Sequence, residues 1–186
     1  MKKFFLFFMF MVLLISCKTS SNPIKAKKPL YMEYSCAVED GLNKNMVLTK
    51  LSTKALDVIS KYVFGINFEY SNDVIKTLLE NTLTQEFYEK TKVQRDILDI
   101  GGKSYYIEYG KIYYKTDAIG KYKTKTSGTM TEKGNNFSNV FNSLIVKIIK
   151  KHSKDGQKGK LVPYGNLVVN TKNGFEITMK YTIYIY

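Results

Sequence analysis

Apolar residues recur along this chain in different rhythms, and each rhythm predicts a different element. Residues 4–15 are an unbroken apolar run behind Lys2-Lys3, whereas residues 18–29 are polar and without period. Residues 30–38 read as a strand carrying Tyr31, Tyr34 and Cys36, broken by Glu39-Asp40-Gly41. Leu48, Leu51, Ala55, Ile59 and Tyr62 follow helical spacing, predicting a helix over 43–64 with an asparagine cap at Asn43 or Asn45 and a stop at Gly65. A short strand is predicted at 66–70. Ser71-Asn72-Asp73 then supplies capping residues for a second helix, with Val74, Ile75, Leu78, Leu79, Leu83 and Phe87 as its apolar stripe up to about residue 90.

Strands at 93–100 and 104–116 are predicted to join at Gly101-Gly102 in a tight turn. A third strand is placed at 121–130, where Tyr122, Thr124 and Thr126 alternate with Lys121, Lys123 and Lys125, so that one face is wet. Phe137, Val140, Phe141, Leu144, Ile145, Ile148 and Ile149 give the clearest amphipathic helix in the chain, with Asn136 to cap it and lysines in its last turn. After a Lys- and Gly-rich loop, segments 161–170 and 175–186 form a hairpin around Asn173-Gly174. Phe175, Ile177, Met179, Tyr181, Ile183 and Ile185 share one face of its last strand, the predicted core face. Runs of adjacent strands with interspersed helices define an α+β class: a mainly antiparallel sheet with about three helices packed on it. A strand, an acid with glycine, and an asparagine-capped helix occur at 39–45 and again at 132–136, an echo that predicts two β-α-β-β halves.

The run at 4–15 has about a dozen apolar residues, short of the roughly 20 needed to span a bilayer, and its charged start is that of a cleaved secretory signal. It closes on Leu14-Ile15-Ser16-Cys17, which resembles the lipobox of bacterial lipoproteins: an aliphatic residue, a tolerated one, a small one, then the cysteine. The resemblance implies that Cys17 takes a diacylglycerol by thioether, that a signal peptidase cuts before it, and that the new amine is acylated. Two or three acyl chains, at about 0.8 kcal/mol per buried CH₂, make an essentially permanent anchor. It further implies a cell-envelope protein, with Lys18 after the cysteine favouring the outer membrane. The organisation predicted is a signal at 1–16, a lipidated cysteine and flexible tether at 17–29, and one domain at 30–186. Extended at about 3.3 Å per residue, the tether reaches roughly 40 Å. Residues 36–72 also resemble small Helicobacter-type outer-membrane lipoproteins in running strand, glycine, long helix, strand. The family helix is alanine-rich, whereas this one holds only Ala55, and the likeness implies a non-enzymatic role.

Charge changes the picture little. The formal net charge is +13, but Arg95 is the only arginine, and the planar guanidinium fork is what phosphate and base recognition prefers. The lysines therefore read as solvated surface, and nucleic acid is not expected as a partner. The membrane is expected, through the lipid, together with another envelope protein or an anionic glycan. No cofactor is expected.

Candidate chemistry is sparse. With Cys17 acylated, Cys36 has no intramolecular partner and no disulfide framework is predicted. Cys36 and the single histidine, His152, raise a Cys-His hydrolase, but Ser35-Cys36-Ala37-Val38 sits in a strand and lacks the Asp-Cys-Ser-Gly helix start of papain-like cell-wall hydrolases. Cys36 thus reads as a small buried hydrophobe and His152 as a surface residue at a helix end. Cysteine, histidine and acid spacings offer no metal site, and phosphate-loop motifs are absent. Asp96 with Asp99, or Glu33 with Glu39, are left as carboxylate pairs for a glycosidase-type alternative. The best binding candidates are Tyr105, Tyr109 and Tyr113, on one strand face if no bulge intervenes at Gly110, with Lys123 and Lys125 on the neighbouring strand. Such a surface would stack on sugar rings and hold anionic groups.

Overall fold

A computed structural model describes residues 30–41, 43–115 and 121–186. The signal, lipobox and tether expected at 1–29 lie outside the described residues. Among those described, the chain folds as α+β, with three helices and eight strands in two antiparallel sheets.

Strand β1 (Leu30–Glu39) leads into helix α1 (Lys44–Phe64). Asn43 caps the helix, its side chain accepting from the Asn45 and Met46 amides at 3.0 and 3.2 Å, so two orphan donors of the first turn are satisfied. Val47, Leu51, Ala55, Val58, Ile59, Tyr62 and Val63 form the buried stripe; Val47 takes the inner position that the sequence pattern gave to Leu48. Gly65, at φ +73°, ends the helix and leaves no room for a Cβ beside Lys160 and Leu161.

The predicted second helix does not form. Strand β2 (Ile66–Ser71) turns through Asn72 and Asp73, at φ +52° and +59°, into strand β3 (Val74–Leu78). Two successive left-handed residues make the tight hairpin turn that matches strand twist, and Asn and Asp tolerate that conformation. The same triplet that resembles a helix cap thus reverses the chain. What remains helical is α2 (Gln85–Glu89), capped by Thr84.

Strands β4 (Val93–Ile100) and β5 (Lys103–Tyr114) join at Gly101-Gly102 as expected, both glycines at positive φ. Strand β6 (Thr124–Gly134) starts later and runs further than predicted. Helix α3 (Phe137–His152), capped by Asn136, buries all seven residues of its predicted stripe. Strands β7 (Lys158–Asn170) and β8 (Phe175–Ile185) form the last hairpin, with an irregularity between Tyr164 and Val168, and β8 buries all six predicted core residues.

The sheet orders are β1-β5-β4 and β3-β2-β7-β8-β6. Two units of one topology are embedded here. In β1-α1-β4-β5 and in β6-α3-β7-β8, a strand and a helix precede a hairpin whose second strand pairs with the first strand. The arm β2-β3-α2 is interposed after α1 in the first unit, and its β2 pairs with β7 of the second. The units also meet directly, β1 beside β7, where the Glu33 amide donates to Asn166 Oδ1 at 3.0 Å.

Strand β1 is buried on both faces from Tyr34 to Ala37, which is why its sequence does not alternate. One face, with Tyr34 and Cys36, lies against α1 and α2; Cys36 Sγ is 3.9 Å from the Leu51 carbonyl oxygen. The other face closes at one end, where the Tyr105 ring meets Phe175 edge-on at 4.9 Å and Phe175 meets Phe137 of α3 at 6.0 Å. At the opposite end it opens to solvent.

Candidate binding cleft

That open end carries the tyrosines. Pairing of β5 with β1 and β4 runs through Gly110 without a bulge, so Tyr105, Tyr109 and Tyr113 do share a face. They differ in exposure: Tyr105 is buried, its hydroxyl donating to the Asn135 carbonyl at 2.8 Å; Tyr109 is half-buried; Tyr113 is 71% exposed. Only the last two line the cleft on this face. Across the strand pair, Ser35 stands opposite Tyr109, Glu33 opposite Lys111 and Tyr31 opposite Tyr113. The Tyr31 and Tyr113 rings are 5.3 Å apart, and Lys111 Nζ lies 2.9 Å from Glu33. That lysine hydrogen bond, then the Tyr31 hydroxyl, holds the Glu33 carboxyl below its ordinary range.

A cleft of about 1160 Å³ follows this face. Its far walls are Leu167 and Val169 of β7, and Phe87, Lys90, Thr91 and Lys92 at the end of α2. The volume exceeds the roughly 300–1,000 Å³ of small-molecule pockets. Because β4 begins opposite Gly110, the last four residues of β5 have no strand on that side, and the α2–β4 connection lines the cleft.

A buried carboxylate fixes the α2 wall. Glu108 of β5 is fully buried and takes the Tyr34 hydroxyl at 2.9 Å, the Tyr88 hydroxyl of α2, and Arg95 Nε at 2.9 Å. Arg95 Nη2 also donates to the Tyr88 oxygen at 2.8 Å. A carboxylate in this position needs a positive partner and several donors, and Arg95 stands directly opposite it on β4. Burial, then the Glu108 hydrogen bond, pushes the Tyr88 phenol up to about 12; burial, then the Glu108 charge, pushes Tyr34 higher still. Burial opposes the Arg95 charge, but its hydrogen bonds to Tyr88 and Glu108 outweigh that and raise its pKa. The cluster clamps α2 onto the sheet and so places Lys90 to Lys92. Sequence reasoning missed it. The available signals were the lone arginine and an acid inside Tyr105-Tyr106-Ile107-Glu108-Tyr109, but their meeting depends on strand register.

Other candidates do not converge here. Lys123 and Lys125 are not on a strand neighbouring β5: β6 pairs with β8 at the far edge of the other sheet, because β5 already has β1 and β4 as partners. There the Lys125 ammonium sits 5.7 Å from the Tyr184 ring centroid. Cys36 is sealed against α1, its thiol pushed well up by burial and then by Glu108, the opposite of an activated nucleophile. His152 is half-buried rather than on the surface, its Nε2 bonded to the Tyr181 hydroxyl at 2.8 Å, and burial lowers its pKa. Asp96 and Asp99 are three residues apart on β4 and point to opposite faces. Glu33 and Glu39 share a face but are separated by about 20 Å of strand and are paired with Lys111 and Lys103. Among the described residues no group of three or more metal-ligating side chains comes together. Cys17 and the lipobox residues Leu14, Ile15 and Ser16 lie outside them.

A second cleft, of about 650 Å³, lies between α1, the start of α3 and the end of β1. Its lining holds Lys50 and Lys54 together with Glu39 and Asp57, two charges of each sign. No described helix is long and apolar enough to cross a membrane. No protein-family model, no curated protein and no solved structure matches this chain.

Proposed function

We propose that this protein is a lipid-anchored component of a bacterial cell envelope whose α+β domain binds another envelope component in the β1/β5 cleft, without catalysis. The observation that carries the anchor is Leu14-Ile15-Ser16-Cys17 closing a short apolar run behind Lys2-Lys3. Support for a binding role comes from Tyr109, Tyr113 and the lysines around them, which form an open, rigidly backed surface. The thiol of Cys36 and the imidazole of His152 each have a separate partner within the fold, and a nucleophile–base pair requires the two within hydrogen-bond reach of each other.

The anchor is tested by growing bacteria expressing the chain with labelled palmitate and by mass spectrometry of the mature N-terminal peptide. Label in the wild type, its loss in Cys17→Ser, and a diacylglyceryl mass on Cys17 are expected. A bare thiol at Cys17, or equal labelling of both forms, would refute it.

A further inference from the structure

We propose that the β1/β5 cleft takes a carboxylate-bearing polysaccharide, laid along β5 with sugar faces on Tyr109 and Tyr113 and acid groups toward Lys111 and Lys92. The inference rests on the binding role proposed above and names the class of ligand.

Tyr109 and Tyr113 are four residues apart on one strand face, a separation of about 13 Å, with Lys111 between them. The surface therefore runs ring, ammonium, ring. A pyranose is amphipathic in the same way a tyrosine is: its C–H face packs on an aromatic ring while its hydroxyl rim stays wet. Acid groups along such a chain match an ammonium placed between two stacking platforms. Tyr113 is highly exposed, but its ring leans on Tyr31, so little freedom remains to be lost on binding. Gln94, exposed and flanking Tyr109 on β4, offers an amide to the sugar rim.

Charge favours an anion. Lys90, Lys92 and Lys111 line the cleft against Glu33. Lys92 makes no ion pair among the described residues, and the Lys111–Glu33 and Lys90–Glu86 pairs are exposed, of a kind worth little and readily exchanged. Asp96 acts on Tyr109 from the β4 side, which directs acid groups to the Lys111 and Lys92 end. The volume and open form suit an extended chain rather than a single small molecule. A protein partner would instead be held by a desolvated apolar centre, and here an ammonium separates the half-buried Tyr109 ring from the exposed Tyr113 ring.

The test is calorimetric titration of the full chain in detergent with polygalacturonate, and with dextran as the uncharged control, at about 50 and about 200 mM salt. Wild type, Tyr113→Ala, Lys92→Ala and Lys125→Ala, the last on the far edge of the other sheet, are compared after thermal melts establish that all are folded. Polygalacturonate is expected to bind and dextran to bind far more weakly. Tyr113→Ala should weaken binding about tenfold or more, Lys92→Ala should weaken it with a shallower salt dependence, and Lys125→Ala should leave it unchanged. Absence of polygalacturonate binding, Tyr113→Ala binding like wild type, or equal loss in Lys125→Ala would overturn the proposal, the last marking a general effect of a basic chain. A photo-crosslinking residue at position 113 in cells separates the two levels. Capture of a protein without polygalacturonate binding removes the sugar and leaves the cleft a binding site, whereas neither capture nor binding removes both.

Discussion

Replacing Arg95 by alanine should destabilise the domain far more than loss of a surface charge would. Glu108 is fully buried, and among the described residues Arg95 is the only cation bonded to it; its other partners there, Tyr34 and Tyr88, are neutral phenols. Removing one member of a buried pair costs about 3–5 kcal/mol, because the charge left behind is uncompensated. The Arg95 side chain is 38% exposed, so water enters the vacated space and part of that cost is screened; about 2–4 kcal/mol is expected. With a urea dependence of about 2 kcal/mol per molar, the midpoint should fall by roughly 1–2 M. Urea unfolding followed by far-UV circular dichroism reads this directly. Removing the charge while keeping an acceptor for the Tyr34 and Tyr88 hydroxyls, Arg95→Met with Glu108→Gln, should recover part of the loss, since no buried charge then remains and the amide oxygen still takes a phenol proton. A loss below about 1 kcal/mol for Arg95→Ala, or a double variant no more stable than the single one, would refute an ionised Glu108 compensated by Arg95.

Two further outcomes follow from the same region. Gly110 lies under the Tyr34 ring, and an added Cβ would come within 2.3 Å of it, so Gly110→Ala should displace Tyr34 from Glu108 and cost about 1–3 kcal/mol in the same urea assay; an unchanged midpoint would show that the ring yields freely. Tyr88 and Tyr114 are pushed up to about 12, by burial first in both cases, against about 10 for an exposed phenol. Because the unfolded chain releases these protons first, stability should be full below pH 10 and decline as pH rises through about 12. A phenolate absorbance titration should show these tyrosines lagging the exposed ones and ionising together with unfolding; a single early transition with the fold intact would refute the burial.

Where sequence and structure agree, the signal is local and redundant. Helix α3 carries a seven-residue stripe and an asparagine cap, and the Gly101-Gly102 and Asn173-Gly174 turns sit between alternating strands, so period and turn chemistry point the same way. They disagree at 71–83, where Val74, Ile75 and Leu78 satisfy a helical stripe as well as a hairpin strand. The choice is made by Asn72 and Asp73 in left-handed geometry and by the pairing of β3 with β2. Placing Lys123 and Lys125 beside the tyrosines failed because sheet order is not local: β6 follows β5 in sequence yet pairs with β8. Parity along β5 was readable, so Tyr109 and Tyr113 were found together. Their graded exposure was not, because it depends on Phe175 covering one end of the strand from the other unit.

The arm interposed after α1 binds the two similar units into one body. Its hairpin lends a strand to the second unit by pairing β2 with β7, while its helix returns to the first through Tyr88 and Glu108. Severing the halves would strip an outer strand from one and a clamp from the other. The duplicated plan is therefore a lock rather than a pair of beads: the segment that interrupts the repeat adds a second bolt to the direct contact of β1 with β7.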